Sequence, residues 1–373
     1  MNKTFYVLDY LSQKNDDEAI TDCLKERATF PGPATIIFSG KDYCISHAVL
    51  IPSETTILVD GCTISQANFT FDNVFRGDNL VLSGNDPYGL PLEVKSIKNI
   101  KILGKNGAKI HGPKKNPLFF NYMTKKEEEP LGDFWGWRTL TISLSKCDGF
   151  EVGGLSFENA RCWTMSFDIC TNGYIHDICF DTDVKNGDGI DFRSGCHNCL
   201  VENISGYTGD DTVACSALSK GRIELPMPSS IYPGEYYLYP MEPTRYLSER
   251  SESEKDISNI TIRNVNTGGK HHGVICLAAR GCKVYNIKIE NIRENPMNIE
   301  SPHREATVKI YTSYGGGYKK GDIHDIYVKN VTSTYSDSAV YCNAEVENIT
   351  LEGISGSGKN VINLDFPEDI KII

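Results

Sequence analysis

A nine-residue unit, apolar-x-Asn/Asp-Ile-x-apolar-x-Asn/Gly-apolar, recurs at 257–265, 284–292, 323–331 and 346–354. The stretch 196–204 fits it too, with Cys199 in the Ile place. Short β units that repeat with Asn at the bends are the mark of a solenoid, because each unit stacks on the one before it. Asn tolerates the left-handed backbone conformation, and stacked Asn side chains can hydrogen-bond along the stack. A sandwich or a propeller has no reason to repeat this Asn-Ile unit. The sequence therefore predicts an all-β, single-stranded, right-handed parallel β-helix, one domain over 1–373. Further strand signals lie at 34–38, 55–59, 79–82, 97–102, 140–144 and 150–152. A short capping helix is expected at the N-terminus, from Asn15 through Lys25. Ala19, Ile20, Cys23 and Leu24 share one of its faces.

The stretch from Thr182 to Ala217 carries two acidic knots, Asn186-Gly187-Asp188-Gly189-Ile190-Asp191 and Gly209-Asp210-Asp211. Asp188 and Asp210 are 22 residues apart. That is about one coil, so the second knot returns beside the first, roughly 4.8 Å along the stack. Asp188, Asp210 and Asp211 would then crowd one patch. Like charges at short range keep one carboxyl protonated beside an ionised neighbour, the pairing that acid/base glycoside hydrolysis uses. The same crowd suits a calcium site or a ladder of solvated turn carboxylates. Successive strand residues point to opposite faces, so Asp210 and Asp211 can share a cleft only from a bend or a strand end.

Bulk properties exclude several classes. The net charge of −11 and the absence of a Lys/Arg run argue against a nucleic-acid partner. No stretch has the length of a membrane span. The first ten residues lack the apolar region of a secretion signal, which points to a cytoplasmic protein. In that setting the 13 cysteines are expected reduced and buried. Cys196-His197-Asn198-Cys199 has metal-like spacing, but the repeat assigns Cys196 and Cys199 to the core, and no metal or other cofactor is expected. Two long stretches break the rhythm, near 113–138 and 220–255. The first holds Phe119, Phe120, Tyr122, Phe134, Trp135 and Trp137; the second holds Tyr232, Tyr236, Tyr237, Tyr239 and Tyr246. Such rings suit sugar faces or simple packing against the solenoid wall.

An ordered set of motifs resembles glycoside hydrolase family 28, the polygalacturonase-like β-helix enzymes. It begins with Asp16-Asp17-Glu18-Ala19-Ile20 and continues through Asn159-Ala160-Arg161-Cys162-Trp163, similar to the family's Asn-Ser-Pro-x-Trp. Asn186-Gly187-Asp188 is similar to its Asn-Thr-Asp, Gly209-Asp210-Asp211 to its Gly/Gln-Asp-Asp, and His271-His272-Gly273 to its Gly-His-Gly. Val308-Lys309-Ile310-Tyr311-Thr312 stands where the family carries Arg-Ile-Lys, followed by Gly315-Gly316-Gly317. The resemblance implies an inverting hydrolase of an oligosaccharide or polysaccharide. Asp210 would be the acid, Asp188 and Asp211 would activate water, and His272 would tune the acid. Trp163, Asp191, Lys309 and Tyr311 would contact the substrate. In the family two cations bind the uronate carboxylate; here one remains, as Lys without the Arg fork, so a substrate other than polygalacturonate is expected. Loops that block the cleft would give exo action. Two rivals share the fold: a calcium-dependent lyase with Lys309 or Arg304 as base, and a β-helix that binds glycan without turnover.

Overall fold

The computed structural model describes residues 2–70, 72–82, 91–115, 119–121, 126–128, 140–184, 186–218, 255–279, 281–295, 304–312 and 317–373. The aromatic residues expected at 122–137 and 232–246 lie outside that set, as does the expectation that their loops close the cleft.

The chain winds as a right-handed parallel β-helix. One face is a parallel sheet that runs from Lys3–Tyr6 through Thr171–Thr182, His197–Thr208, Ile257–Gly269 and Val284–Glu294 to Ile370–Ile372. A second parallel sheet runs from Val49–Ile51 through Ile190–Phe192, Val213–Leu218, Val274–Ala279 and Arg304–Tyr311 to Ile362–Leu364. Short strands such as Lys109–His111 and Ser156–Glu158 add a third face in the N-terminal coils. The expected strand at 79–82 is not part of the wall: Leu80–Leu82 pairs antiparallel with Pro91–Val94.

The Asn positions explain the coil. Asn286 and Asn291 both have positive φ, 52° and 58°, and so do Asn259 and Asn264 on the coil before them. Each left-handed residue uses one extra position, so the buried residues of 284–292 fall at Val284, Ile287, Ile289 and Ile292 rather than in strict alternation. The side-chain amides stack as two ladders. Asn259 donates to Asn198 at 3.0 Å, and Asn264, Asn291 and Asn330 each donate to the preceding rung, Asn203, Asn264 and Asn291, at 3.0–3.1 Å. Inside, equivalent residues stack: Ile260, Ile287, Ile326 and Ile349 are paired in register and 0–1% exposed. Each contributes roughly 1.5–3 kcal/mol of burial. All 13 cysteines are free, and all but Cys44 and Cys179 are buried. Cys196 and Cys199 are core residues, as the repeat requires. Burial pushes the Cys199 thiol up to about 12.

The N-terminal helix spans Asp16–Thr29, one turn longer than expected, with an Asn15/Glu18 capping box. The added turn carries Arg27, which is buried and donates to Thr55 Oγ1 and to the carbonyls of Phe30, Ser53 and Glu54. No described helix is long and apolar enough to cross a membrane.

Candidate active site

The acidic knots sit where the coil leaves the first sheet and enters the second. Strands end at Thr182, Thr208 and Gly269 and resume at Ile190, Val213 and Val274, so 209–212 and 270–273 are corners. Ile190, Val213 and Val274 are paired in register. Two residues back from these, Asp188, Asp211 and His272 occupy successive coils. Three back, so do Gly187, Asp210 and His271. Backbone bonds lock the corners together: Gly189 N–H donates to Asp211 O at 2.9 Å, and Thr212 N–H to His272 O at 2.8 Å. Gly209 makes the bend possible, since a Cβ there would lie 2.0 Å from the Val184 carbonyl oxygen. Adjacent Asp210 and Asp211 thus reach one patch because neither is in a strand. Beneath them the buried hydroxyls of Thr208, Thr212 and Thr267 form a chain at 3.0 and 2.9 Å.

Carboxylate oxygens of Asp188, Asp210 and Asp211 lie within 4.8 Å of one another. Asp188 is buried, and the other two are half-buried. Asp211 Oδ1 accepts from the His272 backbone N–H at 2.9 Å and bonds His272 Nδ1 at 2.7 Å. Asp210 Oδ1 accepts the Asp211 N–H at 2.9 Å and lies 3.4 Å from His271 Nδ1. Burial pushes Asp211 up, but the His272 charge and both His272 bonds outweigh it and hold the carboxyl below its usual range. Burial likewise pulls His272 down, and Asp211 reverses that and raises it. Each favours the charged form of the other. His272 contributes stability that is present below its ordinary 6.5 and is lost as pH rises through its raised value. Asp211 contributes stability that is present above its ordinary 3.8 and is lost as pH falls through its lowered value. The three carboxylates, or Asp211 with His271 and His272, could also hold a cation.

The structure brings Asp188, Asp210 and Asp211 together as the spacing predicts, and places His272, which the resemblance implied, against Asp211. Trp163 is 5% exposed, packs with Leu140 and Cys162, and has the Arg193 guanidinium 4.4 Å from its ring centroid. The ring is thus packed into the wall with Arg193 over it. Asp191 is 1% exposed on Ile190–Phe192, in register with Ser166 and Ala214, deeper than Asp210 and Asp211. Lys309 and Tyr311 do lie on the same wall, further along the axis. Tyr311 packs against Ala214, Ile275 and Leu277, and the Lys309 ammonium stands 4.1 Å from its ring centroid. Sequence reasoning missed Glu305. It pairs with Lys309 and lies 3.6 Å from His272 Nε2. Its i, i+4 spacing to Lys309 on one strand face was a readable signal; its approach to His272 across a coil was not.

The sequence signature described as Glycosyl hydrolases family 28 matches residues 46–365. Among curated proteins none matches the sequence. A polygalacturonase from Erwinia carotovora ssp. carotovora shares the fold with a TM-score of 0.56 at 16% identity, covering 100% of this chain and 94% of that one. An exopolygalacturonase from Thermotoga maritima does so with a TM-score of 0.52 at 14% identity, covering 99% and 91%. PfbA, a surface adhesin of Streptococcus pneumoniae, reaches 0.55 at 12% identity, covering 98% and 80%. At such identities these likenesses speak for the β-helix alone.

Proposed function

The chain belongs to glycosyl hydrolases family 28 and is a glycoside hydrolase, and from that premise we propose that it cleaves oligosaccharides from a chain end with inversion, using Asp210 as general acid. The observation that carries the assignment is the three-carboxylate cluster with His272 bonded to one member. Three like charges within 4.8 Å cannot all be carried at once. His272 holds the Asp211 carboxyl below its usual range, so in this reading the acid is one of the other two, Asp188 or Asp210. Asp210 is the less buried of those two and so the better placed to meet a leaving-group oxygen. Asp188 and Asp211 then hold and deprotonate the attacking water.

The nearest carboxylate oxygens of the three Asp group within 4.8 Å, a cluster rather than a pair facing each other across a sugar. Carboxyls that flank a sugar in inverting enzymes usually stand about 6.5–9.5 Å apart, and about 5–5.5 Å is the retaining distance. Here water would be gripped by two carboxylates on one side rather than placed between acid and base, which relaxes that requirement. The anomer of the first product separates the two outcomes. The lyase reading is weaker, because a lyase needs a free base. Arg304 has a side chain 0% exposed, and Lys309 is paired with Glu305.

Purified protein should therefore release reducing ends from defined oligosaccharides, form no ultraviolet-absorbing unsaturated product, and keep its rate in a chelator. Activity that disappears in chelator, returns with calcium and yields an unsaturated product would replace this reading with the lyase. Binding without turnover on every glycan tried would leave an adhesin-like role. A second expectation concerns pH. In His272→Gln the backbone bond to Asp211 persists, but the charge that offsets burial is gone, so the Asp211 carboxyl should rise. The acid limb of the kcat–pH profile should move to higher pH; an unmoved limb would remove Asp211 from the base role.

A further inference from the structure

Lys309 is a cation with little water around it: its side chain is 8% exposed. A buried ammonium needs compensation from the protein or from a ligand. Three groups supply it. Glu305, four residues earlier on the same strand face, bonds the ammonium directly through Oε2. The rings of Tyr311 and Tyr341 present their faces at 4.1 and 5.3 Å from Nζ, within cation–π range. Glu305 is not itself sequestered; its side chain is 49% exposed. The same Oε2 lies 3.6 Å from His272 Nε2, whose Nδ1 is bonded to Asp211. Bonds from His272 and Lys309 hold the Glu305 carboxyl down at about 2. A carboxylate of the protein therefore stands on Lys309, on the side that faces His272 and the acid cluster.

Resting on the hydrolase reading above, we infer that Glu305 is a specificity-determining residue: it occupies on Lys309 the place a substrate carboxylate would take, so the site selects uncharged sugars and rejects uronates. An incoming carboxylate would have to displace Glu305 from Lys309 and lie beside it as a like charge, whereas a neutral hydroxyl can accept or donate alongside the intact pair. Lys309 is thus already satisfied and offers no open fork, and Tyr311 is covered on one face by the ammonium.

The test measures binding in the Asp210→Asn background, so that turnover does not blur it, with a galacturonate trisaccharide and a galactose trisaccharide as probes. The parent should bind the neutral trisaccharide and hold the uronate at least about tenfold more weakly, the scale of a charge-assisted hydrogen bond. Glu305→Gln should shift the ratio toward the uronate by on the order of tenfold or more. Glu305→Gln/Lys309→Met should abolish that gain, which separates an exposed ammonium from a general loosening. A parent that binds both probes equally, or a Glu305→Gln ratio that does not move, overturns the inference while neutral-sugar binding and wild-type hydrolysis leave the hydrolase reading intact. Loss of all glycan hydrolysis in wild type would count against the hydrolase reading instead.

Discussion

Asp210→Asn should lower kcat on a cleaved oligosaccharide by on the order of 10² to 10⁴, the range for losing a general acid, with the melting temperature unchanged. The fold should survive because the amide oxygen can still accept the Asp211 N–H that Asp210 Oδ1 accepts at 2.9 Å. The corner itself is held by Gly209, by the Thr208 hydroxyl donating to the Asp210 carbonyl at 2.9 Å, and by the threonine chain beneath. None of these needs the Asp210 charge. Asp211→Asn gives a useful contrast, since it also strips the counter-charge from buried His272 and should cost both activity and stability. Substrates with a better leaving group should recover much of the Asp210→Asn loss and none of the Asp188→Asn loss, because only the former step needs a proton on the departing oxygen. Wild-type turnover by Asp210→Asn would move the acid role to another carboxylate.

Much of this was legible from residues, and for physical reasons. The coils were readable because Asn259, Asn264, Asn286 and Asn291 do a backbone job that few other side chains do well, namely the left-handed bend, and so had to recur at fixed spacing. The acid patch was readable because the step of this coil, 23 residues from Ile190 to Val213, differs by one from the 22 that separate Asp188 and Asp210, so Asp188 stacks on Asp211 with Asp210 beside it. The need for a corner at Asp210–Asp211 followed from strand alternation alone, and the break between Thr208 and Val213 meets it. What escaped depends on side chains meeting across coils. Trp163 reads as a ring for substrate, and the sequence gives no sign that Arg193, 30 residues later, lies over it. Asp191 shares a motif with Asp188 but, three residues later, is already paired into the second sheet and buried there. Leu80–Leu82 carried a strand signal that was correct as to type and silent as to partner. The Glu305–His272 approach joins residues 33 apart in sequence, an offset unlike the 22 between the two acid knots, so no fixed spacing could place it.

The largest effect on stability is expected at a pair that the candidate chemistry does not use. Arg304 and Glu294 both have side chains 0% exposed, with Nη1 and Oε1 3.6 Å apart. They lie at the corner that delivers the strand carrying Glu305 and Lys309. Among the described residues the Arg304 guanidinium has no closer polar partner; it lies 5.5 Å from the Tyr335 ring centroid. Glu294 is better provided for. It accepts from the backbone N–H of Thr334, Tyr335 and Ser336 at 2.6, 2.9 and 3.3 Å, from Thr307 Oγ1 at 2.7 Å, and from Ser336 Oγ. Burial raises the Glu294 carboxyl, and these donors outweigh burial and lower it. Its contribution is therefore present above the ordinary carboxylate value of 4.5 and is lost as pH falls through the lowered one. Glu294→Gln keeps the volume and much of the hydrogen bonding but leaves Arg304 as a buried, uncompensated charge. That should cost about 3–5 kcal/mol, read as a lower denaturant midpoint at unchanged slope. Glu294→Gln with Arg304→Met removes both charges while an amide oxygen still accepts from Thr334, Tyr335, Ser336 and Thr307, and should recover most of the loss, since the uncompensated buried charge is gone. A Glu294→Gln loss under about 1 kcal/mol, or a double variant no better than the single, would mean that the donors around Glu294, and not its charge, hold this corner.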